Sequence, residues 1–177
     1  MPHIVVTSLA RLHDTVAAHD ASHVVTLINE GTPVKRPDSI AEDRHLFLAM
    51  HDIDMAMDGM TPPGEAHVRR LIDFINGWDQ ARPLVVHCFA GISRSTAGAF
   101  IAASVLNPDL DELAVARHIR ASSSTATPNR LLVQTADRML GREGRMVRAI
   151  DAIGLGDMAY QGQTFTLPLR AEDLAGG

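Results

Sequence analysis

The stretch Pro83-Leu84-Val85-Val86-His87 constrains this chain more than any other. It is the most continuously apolar strand-like segment, and Cys88 and a short loop connect it to a run of small residues from Arg94 to Leu106. Asn107-Pro108 then stops the helical pattern, because the residue before a proline is pushed out of the helical region. A buried strand feeding a helix is one unit of a layered α/β fold, and further units surround it. Ile4-Val5-Val6-Thr7, His23–Ile28 and Leu46-Phe47-Leu48-Ala49-Met50 read as strands. Leu9, Leu12 and Val16, with Ser8 as cap, fit a helix, as do Val68, Leu71, Ile72 and Ile75 at i, i+3, i+4 and i+7. Asp109 with Glu112 has the form of a capping box, and Thr127-Pro128 that of a cap with a first-turn proline before a helix ended by Gly141. The resulting expectation is a three-layer α/β fold. A mainly parallel central sheet of about four to five strands is flanked by helices.

At 177 residues the chain is long enough for one self-sufficient core. Cys88 is the only cysteine, so no intrachain disulfide and no all-cysteine metal site is possible. A net charge of −5, scattered arginines and few aromatics make a poor nucleic-acid binder. Apolar runs fall short of the roughly 18 residues of a membrane span. Met1-Pro2-His3-Ile4 lacks the pattern of a secretory leader. The expected location is cytoplasmic, with a monomer as the default state.

In parallel sheets ligands gather at the carboxyl ends of the strands, which here means the segment His87-Cys88-Phe89-Ala90-Gly91-Ile92-Ser93-Arg94-Ser95. A strand-to-helix turn of this kind points backbone N–H groups inward, and the helix adds its own unpaired amides and positive dipole end. Gly91 admits a backbone shape that bulkier residues resist. Arg94 can grip two phosphate oxygens together. The same field favours Cys88 as thiolate, the attacking form. Ser95 can donate to that sulfur, and His87 suits loop orientation better than proton transfer.

This H-C-x(5)-R-S pattern, between a strand and a helix, resembles the signature loop of the cysteine-dependent protein tyrosine phosphatases, in particular the small dual-specificity group, including bacterial-type members. The resemblance extends from about residue 23 to 141, with Leu46 to Asp52 similar to the strand leading into the family's general-acid loop, and Pro128-Asn129 and Gln134 similar to its late helix. It implies a catalytic domain over residues 1–153 and a tail over 154–177 able to pack as a short strand, with Gln163 to Leu169 as the candidate. It also implies a metal-independent phosphomonoester hydrolase without cofactor. Cys88 would form a phosphocysteine, and residues 89–94 (Phe89, Ala90, Gly91, Ile92, Ser93 and Arg94) would hold the phosphate. A carboxylic acid would protonate the leaving oxygen and later activate water. Asp52, Asp54 and Asp58, which precede Cys88 by 36, 34 and 30 positions, all satisfy the family's spacing. Strand register favours Asp52; Asp58-Gly59 matches an aspartate-glycine pattern of some small members; the family's frequent proline is absent at Ala49. No basic residue lies between Phe89 and Ser93, whereas phosphoinositide-selective relatives often carry one there. Phosphotyrosine or mixed phosphoprotein substrates are therefore expected, or another small phosphomonoester.

Other readings fit less well. Asp52-Ile53-Asp54 after a strand is similar to the nucleophile motif of magnesium-dependent haloacid-dehalogenase-type phosphatases, but those commonly use a later lysine, and the only one here, Lys35, comes earlier. Rhodanese-type sulfur-transfer loops are usually one residue shorter. Arsenate reduction draws on further cysteines. The non-enzyme alternative is a catalytically weak phosphate-binding interaction module of the same fold, against which stands the presence of both Cys88 and Arg94. His3, His13, His19, His23, His45, His67 and His118 show no ligand spacing, so surface or partly buried positions are expected. Arg142, Arg145 and Arg148 suggest a solvated helix face or a docking patch for an anionic partner.

Overall fold

Successive residues of the apolar strands point to opposite faces of the sheet, and each face has its own cover. The computed structural model describes residues 2–174. Its sheet contains β1 (His3–Ser8), β2 (His23–Ile28), β3 (His45–Ala49), β4 (Leu84–Cys88) and β5 (Phe165–Pro168) in the order β3-β2-β4-β1-β5. The first four are mutually parallel and β5 runs antiparallel to β1. Ile4, Val6, Val25, Leu27, Leu84 and Val86 face the larger core, shared with helices α2 (Glu65–Gly77), α3 (Arg94–Leu106), α4 (Glu112–Ser122), α5 (Arg130–Met139) and α6 (Arg145–Ile153). Val5, Val24 and Val85 face the other way, onto α1 (Leu12–Ala18) and Ile40. A short α7 (Ala171–Leu174) follows β5. This is the three-layer α/β architecture expected from the sequence, with β4 at its centre.

The segment β4–loop–α3 falls where the sequence places it. Helix α3 is buried along most of its length, and its small residues let it lie close to the sheet: a Cβ on Gly98 would meet Leu27 and Val86 side chains at 3.1 Å. Residues 154–164 cross the carboxyl-terminal edge of the sheet before β5. Their anchors are Asp157 N–H to Ser124 O (2.9 Å), Gly156 N–H to Thr127 Oγ1 (3.0 Å) and Thr164 Oγ1 beside Thr7 Oγ1 (2.8 Å).

Several local expectations are corrected. The first helix opens with a 3-10 turn, Leu9–Arg11, and Ser8 makes no capping bond. Helix α4 is capped by Asp111, whose carboxylate accepts from Leu113 N–H at 2.9 Å, and not by a box of Asp109 and Glu112. Glu112 is drawn instead to two guanidinium groups, Arg142 Nη1 and Arg145 Nε, both at 3.1 Å. Thr127 does not cap α5, because its amide donates to Ile92 O and its hydroxyl receives Gly156 N–H; Asn129 caps the helix through Leu132 N–H. Arg142 lies before α6 and is buried, so the three arginines do not form one solvated face.

Arg142 also donates to the carbonyls of Ser104 (2.6 Å) and Pro108 (2.8 Å), tying α6 to the end of α3. Removing one charge of such a pair leaves the other buried without compensation, typically a loss of about 3–5 kcal/mol. Glu112→Gln should therefore lower stability by about 3 kcal/mol in urea titration, and the double variant Glu112→Gln/Arg142→Met should recover part of that loss.

Candidate active site

The carboxyl ends of all four parallel strands converge on the loop 88–94. Carbonyls of the loop are held from outside by four backbone donors from three separate segments. Leu9 N–H, after β1, reaches Phe89 O (3.1 Å); Gly162 N–H, in the crossing segment, reaches Ala90 O (2.9 Å); Thr127 N–H reaches Ile92 O (3.0 Å) and Asn129 N–H reaches Ser93 O (3.2 Å). Thr96 Oγ1 adds bonds to Ile92 O (2.7 Å) and Ser93 O (2.9 Å). With the carbonyls committed outward, the amides are left to the concave side: those of Phe89, Ala90, Ile92 and Ser93 have no hydrogen-bond partner among the described residues. Gly91 sits at φ +74°, and a Cβ there would meet the backbone of Thr7 at 2.9 Å, so both conformation and space require glycine.

Cys88 ends β4 inside this cradle. Its sulfur accepts from Gly91 N–H at 3.2 Å and lies 3.2 Å from Ser95 Oγ. Arg94 opens α3 with a buried side chain whose Nη1 donates to Asn29 Oδ1 (2.6 Å) and Met50 O (2.8 Å), just after β2 and β3. Its Nε is buried and has no hydrogen-bond partner among the described residues. The guanidinium is thus fixed by one nitrogen while its Nε–Nη2 edge remains uncommitted. Ser93 makes no capping bond to α3; its hydroxyl donates to Asp52 Oδ1 at 2.7 Å instead, which leaves the first amides of the helix uncapped by a side chain. A ring of N–H groups, a helix start and a guanidinium are donors of the kind that suits an oxyanion and not a metal cation.

Asp52 alone of the three candidate acids is brought to the loop. Its Oδ1 also accepts from Asn129 Nδ2 at 2.8 Å, and the same nitrogen reaches Ile53 O at 3.2 Å. Asp54 is exposed on the rim of the adjoining cleft, and Asp58 is exposed in a turn before Gly59; neither carboxylate makes a hydrogen bond among the described residues. Asn29, Asn129, Thr26 and Gly162 escape sequence reasoning as site residues, since each acts on the loop from a distant segment. Asn129 alone had a signal, its place in the motif of the late helix. Gln134 of that motif is exposed on α5.

His87 lies fully buried behind the cysteine. Its Nδ1 is 3.2 Å from Cys88 O and its Nε2 2.7 Å from Thr26 Oγ1, which in turn is 2.8 Å from His45 Nε2. A carbonyl only accepts, so Nδ1 carries the proton, Nε2 takes the Thr26 hydroxyl hydrogen, and His45 Nε2–H donates to Thr26. Burial pushes the His87 pKa down to about 4, against the smaller opposing pull of its bond to Cys88 O; burial also lowers that of His45, with Arg36 adding to the effect. The relay is therefore neutral and runs from β3 through β2 into the backbone of β4 at Cys88.

A family model for protein-tyrosine phosphatase matches residues 47–136. Among solved structures the chain is similar to DUSP15 (20% identity, 86% of this chain and 92% of that one covered, TM-score 0.58) and to human DUSP28 (17%, 86% and 96%, 0.57). It is also similar to the human tyrosine phosphatase-like serine/threonine/tyrosine-interacting protein (15%, 81% and 94%, 0.60). No curated protein matches the chain in sequence.

The neutral His87 gives a pH prediction. Between the ordinary histidine value of 6.5 and about 4, the unfolded chain binds a proton here that the folded chain refuses. Stability should therefore fall as pH is lowered through that window, by about 3 kcal/mol from this residue. His19, His23, His45 and His67, also lowered chiefly by burial, act in the same direction. Urea midpoints measured across the window should show the slope, and His87→Gln should flatten it.

Proposed function

The chain belongs to the protein-tyrosine phosphatase family, and on that premise we propose that it hydrolyses phosphomonoesters through a phosphocysteine intermediate. The observation that carries this reading is the cradle itself: a cysteine sulfur, inward amides and an uncommitted guanidinium edge at one end of a helix. In this mechanism Cys88 Sγ attacks phosphorus in line, forming the S–P bond as the bond to the leaving oxygen breaks. The uncommitted loop amides of Phe89, Ala90, Ile92 and Ser93, together with Arg94, hold the three equatorial oxygens. Asp52 gives its proton to the leaving oxygen, then as carboxylate takes one from the water that cleaves the S–P bond. Ser95 Oγ stabilises the sulfur as it departs, and His87 keeps the Cys88 carbonyl, and thus the strand end, in place. The cycle needs no metal.

Phosphotyrosine or mixed phosphoprotein substrates suit the loop, which carries no charge between Phe89 and Ser93. Phe89, 62% exposed at the mouth of the cradle, gives an aryl phosphate an aromatic neighbour. The competing reading is a phosphate-binding module without appreciable turnover, and one of the similar structures is described as a phosphatase-like interacting protein.

Para-nitrophenyl phosphate should be hydrolysed without added metal, inhibited by vanadate, and left intact by Cys88→Ser. Vanadate binding with no hydrolysis by the unaltered protein would favour the module. Asp52→Asn should slow alkyl phosphate esters by about 10²–10⁴-fold and aryl esters with good leaving groups much less, while Asp54→Asn and Asp58→Asn stay near the unaltered rate. Wild-type rates in Asp52→Asn would overturn its assignment. Gly162→Ala places a methyl group 2.7 Å from Gly91 O and should lower kcat/KM by roughly tenfold or more, because small displacements of positioned groups are costly.

A further inference from the structure

Large apolar side chains left in water are concentrated in one place. Among the described residues, the exposed ones are Met55, Met57, Met60, Phe89, Leu155, Met158 and Tyr160. All belong to three segments that border the cradle: the Asp52 loop, the phosphate loop and the crossing segment 154–164. Four of them, Met55, Met57, Leu155 and Met158, line one cleft, and exposed apolar surface gathered in this way marks a binding site. Between the first and third segments lies a cleft of about 930 Å³ that opens from Asp52 and Ser93 and runs to Met158. Ile92 and Ile150 line its interior, and Met55, Met57 and Leu155 stand along it. Methionines fit varied apolar partners because their side chains are flexible and polarisable.

The charges of the cleft select among such partners. Among the described residues, Asp52, Asp54, Asp151 and Asp157 line it with a single cation, Arg130. Arg130 is already engaged by Asp151, through Nε to Oδ1 and Nη2 to Oδ2, each at 3.1 Å. Asp54 and Asp157 have no ion pair among the described residues. The cleft therefore couples an apolar lining to net negative charge, right beside a cradle built for one dianionic phosphate. Nucleotides, multiply phosphorylated headgroups and anionic membrane surfaces would bring further negative charge to these carboxylates.

We propose that this cleft is a substrate subsite for phosphopeptides in which an apolar residue and then a basic residue flank the phosphorylated side chain. The apolar side chain lies among Met55, Met57, Leu155 and Met158, and the basic one reaches Asp157. The inference rests on the phosphatase reading for its location and extends it to the choice of substrate.

The test compares synthetic phosphotyrosyl peptides with para-nitrophenyl phosphate, which is too small to fill the cleft. A peptide flanked by leucine and arginine should exceed an all-alanine-flanked peptide by roughly tenfold in kcat/KM, chiefly through KM, and a glutamate in place of arginine should remove most of that gain. Leu155→Ser/Met158→Ser should abolish the leucine advantage, and Asp157→Lys should reverse the arginine preference; all three positions are exposed, and hydrolysis of para-nitrophenyl phosphate should be unchanged in these variants. Equal rates for all peptides, a leucine advantage that survives the double variant, or faster release of phosphate from phosphoinositide vesicles than from any peptide would overturn the proposal while leaving the phosphatase reading intact. Fluorescence anisotropy of the same peptides with the Cys88→Ser protein reads the subsite independently of turnover. A tenfold affinity order in the same sense supports it even if no substrate is hydrolysed, which would defeat the phosphatase reading alone, and equal affinities overturn it.

Discussion

The loop 88–94 can present its amides only because its carbonyls are bound elsewhere. A peptide unit has two polar ends, and fixing the oxygen outward turns the N–H inward. Leu9, Gly162, and the pair Thr127 and Asn129 supply those outward bonds from three segments far apart in the chain. The parallel strands exist, in this sense, to bring the segments together: the donor after β1, the Asn29 and Met50 acceptors that hold Arg94, and the Asp52 loop after β3 all follow strand ends at one edge of the sheet. Each bond is worth on the order of 1 kcal/mol on its own. Together they over-determine a loop whose inward amides would otherwise collapse onto nearby acceptors.

Local sequence carried the elements that satisfy their own needs. The β4–loop–α3 unit was legible because an apolar strand, a glycine in the turn and a small-residue helix all agree with one geometry. Asp52 over Asp54 and Asp58 was legible only as a preference of strand register. The structure adds what no local pattern holds, the reach of Ser93 and Asn129 to one carboxylate oxygen. The misplaced caps have a common cause. Glu112 and Thr127 have side chains suited to capping, but tertiary partners took them, and the neighbouring Asp111 and Asn129 capped instead. Buried Arg142 was illegible for the same reason, since three arginines at near-helical spacing look alike until one finds Glu112 and two carbonyls in the interior.

Two kinds of support meet at Cys88. From inside the sheet, the neutral chain His45–Thr26–His87 fixes the strand end through a carbonyl. From outside, the crossing segment presses glycine backbone against the loop, so closely that a single methyl group on Gly162 would collide with Gly91 O. Both act on backbone groups, and neither makes a hydrogen bond to the side chains of Cys88 and Arg94 among the described residues. The crossing segment then has a second face, with Leu155 and Met158 in solvent beside the mouth of the cradle.

The antiparallel strand β5 has a consequence for the order in which this molecule can assemble. His3 pairs with Pro168, so the sheet edge is closed by contacts between residues that are very distant along the chain. Contacts of high sequence separation form late, because the entropy of closing the intervening loop must be met first. A nascent chain can pair β1, β4, β2 and β3 and seat α3 against them while Gly162 is still being synthesised. Until β5 docks, one flank of β1 is an open edge able to pair with other chains, and the Ala90 carbonyl lacks its anchor. Completion of the fold and completion of the cradle around Cys88 are thus one late event, and an unfinished molecule is also one whose cradle is not yet set.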